Sequence, residues 1–531
     1  MCKNFAALRK YRYWAYLFLL GLLGFFLIIY LTAKYGAGVS GDSVDYISTA
    51  DNLLRGLGFR DYAGEPYLYW PPLYPLLLAG LSWLTSGDSL VVARFFSAAC
   101  FGLIVFLSGL VFRRSFQQRS AWVYVGPLIV LTSLSLVSLA ANITTDPLFI
   151  VLVLVYALSA GSYLQSPSQS TGLAISVSVA MAAVLRWHGA VLVASACVLM
   201  LIADRKNVRA ALRNAFLVGL LGSLPFALWV VGRNYRLLGT FMGQRDTANI
   251  DVWHNLHDSS RKIAHWFLPD QILRHLSPFS PLILFGLILA VLLIFNKRAN
   301  WRDFARRLGS PYHLPWLIFA SVYYLFVIFT SVPYDHPAYF DDRYYAPLFV
   351  FALLFIALMI TDLVLKPLKG FFSSHHLGFD VGQILLIVFV SAWLIYPSYR
   401  LYKYTIVSRD RGVATYNAYN TKAFHRSLLV RYLEQYPLDP GKPVYSNNAS
   451  AAYFFRRATT LHAPNSAKHR SDLDYLKTHF RDWPSSEQAY LIWFLPHYWS
   501  HYYPPDELQG VADLVPLFSS SDGDLYVVHR R

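Results

Sequence analysis

Charge is scarce in this chain. Only 14% of its 531 residues are Asp, Glu, Lys or Arg, while 56% are hydrophobic. Soluble globular proteins carry about a quarter charged residues, so an ordinary water-soluble enzyme is excluded. Cysteine is scarcer still: the three are Cys2, Cys100 and Cys197, the last two inside apolar runs. That excludes a disulfide framework and a cysteine-based zinc motif. His188, His254, His257, His265, His275 and His336 form no zinc pattern such as His-Glu-x-x-His. No internal repeat or low-complexity tract is present, which removes one cue for an inverted-repeat transporter.

What the chain does have is hydrophobic length. Several runs approach or exceed the roughly 18 apolar residues that span a bilayer, where only a helix satisfies its own backbone polar groups. The first run, Tyr13 to Thr32, is longer than a signal-peptide core and reads as an uncleaved anchor. The formal net charge of +16 does not mark a nucleic-acid binder, because the basic residues form short clusters between apolar runs. These are Lys3/Arg9/Lys10/Arg12, Arg113/Arg114/Arg119, Arg205/Lys206/Arg209/Arg213, Lys297/Arg298/Arg302/Arg306/Arg307 and Lys366/Lys369. Placing them all in the cytoplasm, as the positive-inside rule asks, gives about eleven spans between 13–33 and 380–396, with the C-terminus outside. Leu73 to Leu84 is too short for a span and reads as an interfacial or re-entrant helix.

After Pro397 the long apolar runs stop. Pro443 to Ser446, Ala489 to Leu495 and Leu525 to Val528 read as strands, and Ala467 to Phe480 as a helix. The expected architecture is therefore an α-helical polytopic membrane domain over 1–396, with a first external loop at 34–89 and a small α/β extracytoplasmic domain over 397–531.

On this topology the unusual polar motifs all fall on the outer face. They are the 34–72 loop, Asn142 to Pro147, Arg186-Trp187-His188, Gly232 to Tyr235 and Tyr339 to Tyr344. Asp42 and Asp45 are three apart at the start of a helix, and Asp146 precedes Pro147 at the mouth of a span. Each can cap its helix, serve as a base or hold a cation. Arg186, Arg233 and Arg343 stand beside aromatics. They can snorkel to the headgroups or grip a phosphate with a planar, bidentate fork.

The order of these motifs resembles the GT-C superfamily of integral membrane glycosyltransferases, in particular family 39, the protein O-mannosyltransferases and the aminoarabinose transferases of lipid A. The resemblance rests on Gly41-Asp42-Ser43-Val44-Asp45-Tyr46, Tyr69-Trp70-Pro71-Pro72-Leu73-Tyr74-Pro75, Thr145-Asp146-Pro147, Arg186-Trp187-His188-Gly189, Gly232 to Gly239 and Asp342 to Pro347. It implies a GT-C-like fold and inverting transfer of a sugar from a polyprenyl-phosphate donor to a lipid, glycan or protein acceptor. It further implies Asp42 and Asp146 as the catalytic carboxylates, and Arg343 with Arg233 and Arg186 on the donor phosphate. Asp45, Tyr46, Tyr69, Trp70, Tyr74, His188, Asp342 and Tyr344 would line the substrate. A bacterial inner-membrane location follows from the same resemblance. Trp70 stands where aminoarabinose transferases place a lysine, and Ser43 where mannosyltransferases place a second acid, so neither sugar follows. No cofactor is named by the sequence, and a divalent metal stays open. A transporter or flippase of polyprenyl-linked sugars is the alternative.

Overall fold

The computed structural model describes residues 2–116, 120–239, 241, 251–275, 280–296, 298–330, 342–367, 381–413, 418–465, 473–495 and 501–531. Arg119, Lys297, His336, Tyr339, Phe340, Asp341, Lys369 and the start of the helix expected from Ala467 lie outside the described residues. The chain packs as two compact units. One comprises 1–30, 68–73 and 95–406; the other comprises 31–67, 74–94 and 407–531.

The first unit is helical. Among the described residues, the helices long and apolar enough to cross a membrane are Tyr11–Leu31, Ser89–Ser115, Asp146–Gln165, Val208–Tyr235 and Ala346–Leu365. Shorter apolar helices stand at Gln169–Leu185, Trp187–Ala203, Ile283–Ile294 and Leu314–Thr330, where further spans were expected. The expected span 121–141 is instead Trp122–Leu131 and Leu134–Ala140, bent by 50°. The break falls at Thr132 and Ser133, and the Ser133 side chain caps the second piece at the Leu136 N–H.

Small residues let these helices approach closely, as van der Waals association in lipid requires. A Cβ added at Gly102 would lie 2.7 Å from the Gly21 carbonyl oxygen, and one at Gly222 would lie 2.8 Å from Val179. Two of the spanning helices end in π-helical turns, Val230–Tyr235 and Ile360–Leu365. The second turn holds Asp362, fully buried and paired with Arg307 at 2.8 Å and Lys366 at 2.9 Å.

The second unit joins residues of the first loop to the C-terminal region. Helix Gly41–Leu54 carries buried Asp51, whose carboxylate accepts from Ser89 (2.6 Å) and Tyr453 (2.9 Å) and faces Arg457 at 3.3 Å. Tyr419 N–H donates to the Val39 carbonyl at 2.8 Å, and Thr460 N–H to that of Tyr62 at 3.0 Å. Leu73–Thr85 is a 13-residue helix with Trp83 and Leu84 largely exposed, as suits an amphipathic segment at a membrane interface.

Among the described residues, five strands form one sheet: β1 (Val444–Ser446), β2 (Leu461–His462), β3 (Gln488–Phe494), β4 (Ala512–Ser520) and β5 (Gly523–Arg530), in the order β2-β1-β3-β5-β4. The pairings of β1 are parallel and the other two antiparallel. Tyr445, Leu491, Trp493, Trp483 and Val528 belong to its core. The helix expected from Ala467 is described over Leu473–His479.

Candidate functional site

The sequence-predicted residues fall in both units. In the helical unit, Asp146 opens its helix, with Thr145 at the cap position and Pro147 in the first turn. Its carboxylate therefore does not cap the helix from the preceding position. It pairs with Arg186, and both residues are buried, at 2% and 6% exposure.

Arg186 reaches Asp146 because the chain turns sharply after Leu185. Trp187–Gly189 is a single 3-10 turn, and Gly189 N–H donates to the Arg186 carbonyl at 2.8 Å. A Cβ on Gly189 would fall on the Ala182 carbonyl. The glycine of Arg186-Trp187-His188-Gly189 is thus required for space; its φ of −63° suits any residue.

Tyr344 gathers the surrounding groups. The Arg186 guanidinium lies 5.9 Å from its ring and 5.3 Å from that of Phe149. Arg343 sits 5.1 Å over the Tyr344 ring and donates from Nη2 to its hydroxyl at 3.2 Å. His188, itself buried, has its ring centroid 5.2 Å away, and Tyr323 donates to the Tyr344 carbonyl at 2.9 Å. Two cationic side chains, one neutralised by a buried carboxylate, therefore share one aromatic neighbour. Asp342 accepts from Ser135 and, at 2.8 Å, from Trp266 Nε1. That indole tethers the carboxylate beside Arg343.

Arg233 has different surroundings. It lies 4.4 Å over Trp229 and donates to Asn234 Oδ1 at 3.2 Å. Its π-helical turn buries Asn234, whose amide donates to the Leu68 carbonyl at 3.4 Å. Trp187 Nε1 donates to the Tyr69 carbonyl at 2.8 Å. These two donors pin the 68–73 strap by its backbone and leave the Tyr69 side chain 57% exposed. Trp187 and Asn234 lie inside motifs the sequence singled out, yet nothing in it says that their targets are backbone carbonyls. Tyr323, within an apolar helix, has no sequence signal.

In the second unit, Ser40 caps helix Gly41–Leu54. Its N–H donates to Ser43 Oγ at 3.0 Å, and the two hydroxyls lie 3.2 Å apart. Asp42 belongs to the first turn and is not the cap residue. Tyr46 and Tyr74 pack edge to face at 5.0 Å, both buried. Tyr419 is pushed up in pKa by burial and by the charges of Asp45 and Asp42, with hydrogen bonds to Ser450 and Asn448 opposing. Burial, then the charges of Asp45 and Asp61, push Tyr62 up. Both phenols therefore stay protonated. Among the described residues, no three or more His, Cys, Asp or Glu side chains gather as a metal site would need.

The model of the family described as dolichyl-phosphate-mannose-protein mannosyltransferase matches residues 70–231. ArnT from Cupriavidus metallidurans in the apo state is similar over 97% of each chain, with a TM-score of 0.59 and 12% identity. The same protein bound to undecaprenyl phosphate covers 97% of this chain and 98% of its own, with a TM-score of 0.56 and 13% identity. The chain has the GT-C fold. The GT-C oligosaccharyltransferase AglB from Archaeoglobus fulgidus, in complex with an inhibitory peptide and a dolichol-phosphate, aligns over 91% of this chain and 69% of its own, with a TM-score of 0.52 and 12% identity. No curated protein sequence matches. With this fold and its apolar helices, the chain is an integral membrane protein.

Proposed function

We propose that this chain transfers a sugar from a polyprenyl-phosphate donor to a lipid, glycan or protein acceptor, with inversion, on the extracytoplasmic face of a bacterial inner membrane. Arg186 is the observation that carries the reading. It is a buried guanidinium, neutralised by Asp146, whose Nε–H has no hydrogen-bond acceptor among the described residues. A buried donor left unsatisfied costs about 1–3 kcal/mol. A phosphate oxygen is the partner a guanidinium fits well. Arg343 lies within electrostatic reach of Arg186 and adds a second cation for the same anion. The undecaprenyl phosphate in the solved ArnT complex supports the donor class.

In the reaction, the acceptor oxygen attacks the anomeric carbon as the bond to the phosphate oxygen breaks. The acceptor proton passes to Asp42, and the polyprenyl phosphate leaves with the electron pair. Arg186 and Arg343 stabilise the charge that grows on the departing phosphate, and fixed cations need no reorganisation at that moment. Asp146 holds Arg186 in place.

The test is incubation of purified protein and its Asp42→Asn variant with radiolabelled undecaprenyl-phosphate sugars, with membrane extract as the acceptor source. Release of sugar from lipid by the wild type alone is the expected result. Equal release by Asp42→Asn would remove Asp42 as the base. Translocation of donor across proteoliposomes with no covalent transfer would replace the enzyme reading with a transporter.

A further inference from the structure

A cavity in the first unit lies at the bend between Trp122–Leu131 and Leu134–Ala140, and the helix Val381–Arg411 lends it Trp393, Tyr396 and Arg400. Its volume is about 360 Å³, counting the open mouth. Ser135, Trp266 and Phe349 complete the walls that matter chemically. Arg186, Arg233 and Arg343 do not line it, so it is separate from the phosphate cations described above.

The walls are held in place. Trp266 Nε1 donates to Asp342 at 2.8 Å and Ser135 Oγ donates to the same carboxylate. Trp393 Nε1 donates to the Phe267 carbonyl at 2.9 Å. Trp266 packs edge-on against Phe349 at 5.4 Å, and Phe267 stacks on Trp393 at 6.3 Å. Arg400 donates from Nη1 to the His265 carbonyl at 3.2 Å and rests 5.6 Å over the Tyr396 ring.

These groups give the cavity two unlike ends. Asp342 is bonded by two neutral donors, and among the described residues no cation pairs with it. Ser135 spends its hydrogen on that carboxylate, so only its lone pairs remain to accept. Aromatic faces attract a cation, and here they stand in front of an uncompensated carboxylate. Arg400 supplies the opposite preference: a guanidinium carries five N–H donors, more than its contacts with His265 use, and its planar fork matches a phosphate.

We propose that this cavity binds the headgroup of a zwitterionic phospholipid with a primary ammonium. The phosphate lies on Arg400, and the ammonium lies among the rings, donating to Ser135 and facing Asp342. An ethylene bridge joins the two charges, so one headgroup answers both ends. A phospholipid without the ammonium leaves Asp342 uncompensated, and a quaternary ammonium has no N–H for Ser135. Trp393 and Tyr396 are amphipathic aromatics of the kind that settle at headgroup level. Ile395 and Tyr399, on another face of the same helix, are largely exposed, as a lipid-facing surface is. The site does not depend on the glycosyltransferase reading.

Native mass spectrometry of the full chain released from detergent micelles tests the proposal. The protein is titrated with phosphatidylethanolamine, phosphatidylglycerol and phosphatidylcholine of matched acyl chains. One phosphatidylethanolamine should be held with a Kd about tenfold below that of either other lipid. Arg400→Gln should weaken its binding about tenfold, and Asp342→Asn should erase the preference over phosphatidylglycerol. Equal binding of the three lipids by the wild type, or unchanged binding in Arg400→Gln, would overturn the site. The comparison of lipids on the wild type needs no variant and decides the matter even where a substitution prevents folding. Glycerophosphoethanolamine, the same headgroup without acyl chains, should compete only weakly. Binding as tight as that of the whole lipid would overturn the membrane as the source of the ligand.

Discussion

Asp146→Asn isolates a charge with almost no change of volume. Asp146 and Arg186 are 2% and 6% exposed, so removing the carboxylate strands a guanidinium in a poorly solvated site. Breaking one side of such a pair costs about 3–5 kcal/mol, whereas replacing both partners with apolar residues of similar size is often neutral or stabilising. Asp146→Asn should therefore lose about 3–5 kcal/mol of unfolding free energy, and Asp146→Leu/Arg186→Met should regain most of it. Equilibrium denaturation in mixed micelles, followed by tryptophan fluorescence, reads both. The stabilised double variant should still fail to release sugar, because the guanidinium proposed to hold the phosphate is gone. A loss below about 1 kcal/mol in Asp146→Asn, or a double variant whose loss equals the sum of the singles, would refute this account of the pair.

Gly189→Ala should destabilise by about 1–3 kcal/mol, because the added methyl meets the Ala182 carbonyl and a backbone atom cannot rotate away. Its transfer activity should fall further than its stability, since the same turn aims Arg186. A variant with parental melting temperature and activity would show that the turn has slack. Asp61 governs a pH effect of definite sign. Burial, the largest influence, raises its pKa to about 6, against hydrogen bonds from Ala63, Glu65 and Gly64. A folded pKa above the unfolded 3.8 means that the stability contributed by Asp61 is fully present below pH 4 and is lost as pH rises through about 6. Asp61→Asn keeps an acceptor for the Ala63 and Glu65 N–H groups and should flatten that decline. An unchanged slope in melting temperature between pH 4 and 7 would assign it to another group.

The sequence was most legible where a single physical rule dominates. Apolar length identified, among the described residues, five helices long enough to cross a membrane out of the about eleven spans expected, and the loss of it after Pro397 precedes the strands of the sheet. The bend between Leu131 and Leu134 was hidden, because Pro127 sits inside the first helix and the break comes later, at residues with ordinary helical tolerance. Charge bias led each of Asp146 and Arg186 to be expected on the outer face. Their pairing across forty residues depends on a turn whose only sequence trace is Gly189. Asp42 looked like a cap because Asp favours that position, but Ser40 with Ser43 fills it. The contacts of His462 with the Tyr62 and Tyr502 hydroxyls had no trace at all, since neither period nor propensity encodes partners distant in the chain.

The 68–73 strap is held through main-chain carbonyls by Trp187 and Asn234. A peptide carbonyl is the same at every residue, so these two hydrogen bonds are indifferent to the side chain at Tyr69, which is 57% exposed. Random libraries at Tyr69 should therefore contain mostly folded members. The anchor leaves position 69 able to drift during evolution without the protein first having to be restabilised.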